Sequence, residues 1–255
     1  SSMSDARPAG RRLRHAIEGA GVSALITLCR ALSVDAASNL GGTLARTLGP
    51  RLALTRRAAR HYARAFPEAS DAEIAHAMRA MWDNLGRTVF EYPNLTKIEC
   101  YTSDRVIVHG TEHIDALRDD GRSGIFFSGH MANWEIMPLS VAQRGCDISL
   151  VYRAANNPHV DKMILRARGA VTPTHIPKGS AGARQIVRLI KEGRHIGMLV
   201  DQKLNTGIEV PFFGHPAMTP PAIAQLALKY DLPLVPGAIR RTHGANFEVT
   251  IHPPL

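Results

Sequence analysis

Apolar residues follow two regimes along this chain. Up to about residue 104 they recur at helical spacing, whereas beyond Val106 short apolar runs alternate with helical stretches. Residues 10 to 34 open with Arg11, Arg12 and Arg14 and turn apolar through Ala24, Leu25, Ile26 and Leu28, until Arg30 and Asp35 close the run. That is well short of the roughly 20 residues a bilayer-spanning helix needs, and no small-residue cleavage pattern marks a removed leader. A basic start with an apolar body suits a helix lying in a membrane interface and equally one packed on the domain. Residues 51 to 66 set Arg51, Arg56, Arg57, Arg60 and Arg64 among alanines, which predicts a strongly basic helix, either a solvated face or a surface for phosphates. Pro67 stops it. Ser70 and Asp71 before Glu73 read as the N-cap of a helix over 71–91, with Ile74, Met78, Met81 and Leu85 on its core face.

From Val106 the pattern predicts strands near 105–109, 124–128, 147–152, 171–176, 195–200, 208–213, 234–239 and 246–251. Helices fall near 112–119, 134–144, 157–168, 181–191 and 220–230. Such alternation indicates an α/β fold with a largely parallel or mixed sheet flanked by helices on both faces. The expected division is 1–104 for interfacial and capping helices and 105–255 for the α/β core, together one structural unit.

Composition narrows the chemistry. At 45% hydrophobic and 21% charged, a chain of 255 residues can bury its core without disulfides or metals. Cys29, Cys100 and Cys146 are scattered, which argues against a disulfide scaffold or zinc site and fits a reducing compartment. The twelve histidines include no HExxH or other metal spacing, so neither metal nor cofactor is expected. A net charge of +9 points to acidic partners: nucleic acid, anionic lipid or an acidic carrier protein. With no RNA-binding motif, zinc finger or helix-turn-helix, nucleic acid ranks last. Ser1-Ser2-Met3 has the look of a cloning remnant and is left out of the fold reading.

The densest chemistry lies in 124–139, where a buried strand, a polar turn at Ser128-Gly129-His130 and a helix start follow one another. His130 and Glu135 are five apart, so on one helix they diverge in azimuth. They meet only if His130 folds back from the turn; Glu135 would then hold one imidazole nitrogen and leave the other as a base. The bland alternative makes Glu135 a first-turn carboxylate favoured by the helix dipole. Ser128 sits in no G-x-S-x-G elbow. Arg153, at a strand end, can hold an anion or pair with Asp161. Lys178-Gly179-Ser180, before the 181–191 helix, resembles a generic anion-cradling loop but lacks the spaced glycines of a nucleotide loop and reads mainly as plain loop. Asp201, also at a strand end, can orient a base or a substrate hydroxyl, or cap a turn. Phe212 and Phe213 suit a core or the wall of an acyl-chain channel.

Taken in order, Ser-Gly-His-Met-Ala-Asn-Trp-Glu at 128–135, Tyr-Arg at 152–153, Asp-Gln at 201–202 and Val-Pro-Phe-Phe-Gly at 210–214 resemble the late (lauroyl/myristoyl-type) acyltransferases of lipid A biosynthesis, within the lysophospholipid acyltransferase group. The resemblance implies a glycerol-3-phosphate acyltransferase-like α/β fold with an N-terminal helical cap. It also implies attachment to the cytoplasmic face of the inner membrane, and acyl transfer from acyl carrier protein to a lipid A precursor hydroxyl. By matching position His130 becomes the catalytic base and Glu135 its partner, with Asn133, Arg153 and Asp201 as substrate-binding or site-supporting residues. Backbone N–H groups at the helix start are expected to hold the oxyanion, with no acyl-enzyme. Relatives usually continue past Pro253-Pro254-Leu255 into a tryptophan-rich end, and often carry a longer N-terminal anchor, here broken by Arg30; peripheral attachment is expected. A thioesterase and a basic lipid-binding module are the competing readings.

Overall fold

The computed structural model describes residues 9–155, 157–169, 171–172 and 174–255. Its first third is helical: α1 (Ala9–Ala31), α2 (Val34–Leu48), α3 (Ala53–Ala65) and α4 (Asp71–Glu91). Two of these helices start where side chains replace missing backbone partners. Ser33 accepts the Ala36 N–H at the head of α2, and Ser70 with Glu73 closes a reciprocal capping box on α4; each such cap is worth about 1 kcal/mol. The hydrophobic pattern did not reveal α2, because its contact face is made of small residues. A Cβ on Gly41 would sit 2.3 Å from the Gly86 carbonyl oxygen of α4, so the two helices touch backbone to backbone. This contact turns Asp83, Gly86, Arg87 and Phe90 toward α2. Met81 and Leu85, expected in the core, lie off that face and are exposed, while Met78 is buried.

The remainder alternates as β1 (Val106–His109), α5 (Thr111–Asp119), β2 (Ile125–Ser128), α6 (Ile136–Gln143), β3 (Ile148–Tyr152), α7 (Pro158–Arg168), β4 (His175–Pro177), α8 (Ser180–Lys191) and β5 (His195–Leu199). Then come β6 (Ile208–Phe212), β7 (His215–Thr219), α9 (Ala222–Tyr230), β8 (Leu234–His243) and β9 (Asn246–Ile251). A seven-stranded mixed sheet runs in the order β1-β9-β8-β2-β5-β3-β4. Only β8 and β9 pair antiparallel in it; the other neighbours are parallel. The mixed α/β sheet flanked by helices is therefore as expected. β2 occupies the middle and is buried on both faces, as parallel strands are. Phe126 joins the core cluster with Ile136, Leu139 and Phe247, while Ile125 joins Ile176, Leu189 and Ile196.

The segment expected as one strand over 208–213 departs from that pattern. β6 and β7 form a separate antiparallel ribbon with Phe212 opposite His215, which leaves Phe213-Gly214 as a two-residue turn. Their φ values are 47° and 70°, the geometry that ordinarily selects Asn-Gly. A phenylalanine held there is strained by about 1–2 kcal/mol. Phe212 and Phe213 are 66% and 52% exposed. They are neither core nor channel wall, because the ribbon stands away from the sheet and all five β6 residues face solvent.

The glycine contact has a measurable consequence. Gly41→Ala drives a methyl into the Gly86 carbonyl and the Phe90 ring and should cost about 1–3 kcal/mol, read from the denaturant midpoint. Gly21→Ala in α1, where an added Cβ meets nothing within 4 Å, should be neutral or slightly stabilising.

Candidate active site

β2 and β5 run side by side in parallel, with Ser128 opposite Leu199. The Val200 N–H donates to the Ser128 carbonyl at 3.0 Å and keeps the strands in step beyond β5. Continued in that register, His130 and Asp201 leave the sheet together. Gly129 makes room between them: a Cβ there would lie 3.1 Å from Asp201 Oδ2. Asp201 accepts the His130 backbone N–H at 2.7 Å and faces ring Nδ1 at 2.6 Å. With Nδ1 carrying the proton toward the carboxylate, Nε2 keeps its lone pair. Gln202 Nε2 lies 3.3 Å from that nitrogen, and Lys178 Nζ donates to Gln202 Oε1 at 3.3 Å. The edge of the ring meets Trp134 at 5.1 Å between centroids. Burial by itself would raise the Asp201 carboxyl. The His130 backbone N–H, ring and charge outweigh it and hold the group below the ordinary carboxylate range.

Glu135 does not partner His130, which corrects the expected pairing. α6 begins at Ile136, two residues later than the pattern suggests, so Glu135 is the helix N-cap residue and turns inward. There it is almost fully buried and accepts Arg168 Nη2 at 2.6 Å and Nε at 3.0 Å, along with the Tyr92 hydroxyl. Burial and the Glu135 charge raise the Tyr92 phenol far above its ordinary value and keep it a donor. Asn133 likewise leaves the substrate-binding set. It has no exposed surface, gives its Nδ2 to Glu91 at 2.9 Å and accepts the Glu135 N–H at 3.2 Å. An amide satisfied in this way holds the turn. Just before Asn133, Ala132 adopts φ 45°, and its carbonyl is held at 3.0 Å by both Asn84 and Thr88 of α4. The N–H groups of His130, Met131, Glu135 and Ile136 already donate within this region, so the expected oxyanion donors at the helix start are largely occupied.

His130 opens into a cavity of about 470 Å³, within the usual range for small-molecule sites. Tyr152 and Arg153 follow from β3, Lys178 from β4, and Leu199 and Gln202 from β5, so four strand ends converge there. Val22, Leu25 and Ile26 of α1, with Val89, Tyr92 and Ile164, supply apolar walls. The C-terminal end of α1 is tied to the domain, where Asn94 and Lys97 donate to the Cys29 and Arg30 carbonyls, each at 2.8 Å. Arg153 is exposed at the cavity, and no described residue forms a salt bridge with it. Asp161, its suggested partner, accepts the Ala155 N–H at 2.8 Å instead. A second void of about 30 Å³ continues beneath Trp134 toward Phe126, Met137 and Leu150.

The structure thus brings His130 and Arg153 to one cavity, with Asp201 backing the imidazole, and turns Glu135 and Asn133 away from it. Sequence reasoning passed over Gln202 and Lys178 as site residues, although each sits in a dipeptide or loop it had singled out. Tyr92 and Arg168 carried no local signal, because what they do depends on Glu135 turning inward.

Residues 6–255 match the family described as bacterial lipid A biosynthesis acyltransferase. Two proteins named phosphatidylinositol mannoside acyltransferase, from two strains of Mycobacterium tuberculosis, are 24% and 23% identical over 155 residues, which is 59% of this chain and 49% of theirs. The chain spans about half the length of these curated relatives. Among solved structures, the 1-acyl-sn-glycerophosphate acyltransferase PlsC from Thermotoga maritima aligns over 85% of each chain, at 15% identity and a TM-score of 0.40.

The buried pairing of Glu135 with Arg168 should act through stability. Arg168→Met strands the buried Glu135 carboxylate and should cost about 3–5 kcal/mol, measured by chemical denaturation. Adding Glu135→Met to the same protein should recover most of that loss.

Proposed function

The chain belongs to the bacterial lipid A biosynthesis acyltransferase family, and on that premise we propose that it transfers a fatty acyl group from acyl carrier protein to a hydroxyl of a lipid A precursor. The observation that carries this reading is His130, backed by Asp201 through Nδ1 and opening through Nε2 into a mainly apolar cavity. An acyl chain suits the apolar walls. Arg153 and Lys178, both exposed at the cavity, suit a phosphate.

In this mechanism His130 Nε2 takes the proton from the acceptor hydroxyl as its oxygen attacks the thioester carbonyl. The tetrahedral adduct collapses, the C–S bond breaks, and the departing thiolate recovers the proton from the imidazolium. No acyl-enzyme forms. Asp201 fixes the tautomer and stabilises the imidazolium, the role first expected of Glu135. Gln202 Nε2, beside His130 Nε2, and Lys178, which reaches Gln202, are the side-chain donors we assign to the developing oxyanion. No helix among the described residues is long and apolar enough to cross a membrane, and we place the protein peripherally on the cytoplasmic face of the inner membrane. The mycobacterial relatives favour a second acceptor, a phosphatidylinositol mannoside, which offers the same combination of sugar hydroxyl and phosphate.

Mass spectrometry of either glycolipid after incubation with mixed acyl-carrier donors tests the reading and separates the acceptors. Thioester consumption with no acylated lipid would sink it. His130→Ala should lower turnover by about 10²–10⁴-fold with an unchanged unfolding midpoint, and near-normal turnover would remove His130 from the mechanism. Arg153→Ala should raise the KM for acceptor and leave kcat nearly intact.

A further inference from the structure

Three of the seven phenylalanines, Phe66, Phe212 and Phe213, are exposed in one place. Phe66 meets Phe213 at 5.3 Å and Phe213 meets Phe212 at 4.8 Å, and Tyr62 extends the row along α3 at 4.9 Å from Phe66. His215 of the ribbon contacts the Arg64 carbonyl at 3.2 Å, so the ribbon rests on the end of α3. Up that helix Arg56, Arg60 and Arg64 are spaced four apart and lie exposed. No described residue forms a salt bridge with any of the three. Glu209 is the exposed carboxylate within the ribbon itself. We propose that the tip of the β6–β7 ribbon and the arginine face of α3 together form the surface by which this protein docks on an anionic lipid bilayer.

Two features select a bilayer over an acidic protein. Adjacent phenylalanines at an exposed ribbon tip need an apolar phase to enter, and the arginines beside them need negative headgroups around that phase. The tip also holds a ring where asparagine would fit the backbone without strain. A ring that is both strained and half exposed points to a contact outside the chain. The ribbon grows from the loop that carries Asp201 and Gln202, so docking would set the cavity beside the lipid phase from which an acceptor enters. The proposal rests on the lipid-acceptor reading, and its test can be separated from that one.

The test is co-sedimentation of the protein with vesicles of phosphatidylcholine alone or mixed with phosphatidylglycerol, alongside acyl transfer to detergent-dispersed acceptor. Wild-type protein should bind the mixed vesicles and release at high salt. Arg56→Gln with Arg60→Gln and Arg64→Gln should weaken that binding by roughly a hundredfold. Phe212→Ser with Phe213→Asn should weaken it by about tenfold or more. Phe213→Asn alone, by relaxing the turn, should raise Tm by about 2–4 °C while still weakening binding, which rules out misfolding as the cause. Detergent-phase transfer should be unchanged in all of them; if wild-type protein shows none, the acyl-transfer reading fails and vesicle binding still judges the surface. Wild-type vesicle binding in the tip variant overturns the proposal. So does loss of binding to acyl carrier protein, with vesicle binding intact, in the arginine variant.

Discussion

Glu91 carries its carboxylate at a point with no solvent exposure. Arg241 of β8 forms a two-pronged ion pair with it, Ser38 of α2 donates at 2.6 Å, and Asn133 of the catalytic turn donates at 2.9 Å. A buried charge is tolerable only when its partners are all in place, and losing one is far costlier than the pair is worth. This carboxylate therefore forces a helix of the cap, a central strand of the sheet and the turn bearing His130 into one arrangement. Asn84 and Thr88, from the same helix, hold Ala132 in its left-handed conformation. The cap is in this sense part of the site.

The imidazole's own partner is supplied by topology. β2 and β5 are separated in sequence by three helices and two strands, yet β5 inserts between β2 and β3. Parallel neighbours end on the same edge of a sheet, and binding crevices form at such carboxyl edges where the strand order reverses. Asp201 reaches His130 for that reason, and Tyr152, Arg153 and Lys178 gather at the same edge.

This explains which parts were legible in advance. The alternation after Val106, the capping box at Ser70 and the turn at Ser128-Gly129-His130 are local patterns, and each has its cause within a few residues. Strand order is not local, so the sequence alone could suggest Asp201 as an orienting acid without saying what it orients. Glu135 misled because five-residue spacing leaves its direction open, and a start of α6 two residues later turned it toward Arg168. α2 escaped notice because a glycine–glycine helix contact has no hydrophobic signature. Phe212 and Phe213 misled in the opposite direction, since a ribbon outside the core can carry the same residues as a strand within it.

The pairing of β1 with β9 sets the order in which the molecule can be completed. β1 lies at the sheet edge, and the strand it pairs with arrives about 140 residues later in the chain. At ribosomal speed that interval is roughly 7–28 s, during which Val106 and Val108 have no strand to lie against. Closing so long a loop comes late and slowly. Until β9 is made the β1 edge stays unpaired, the kind of open strand on which a nascent chain is exposed to aggregation.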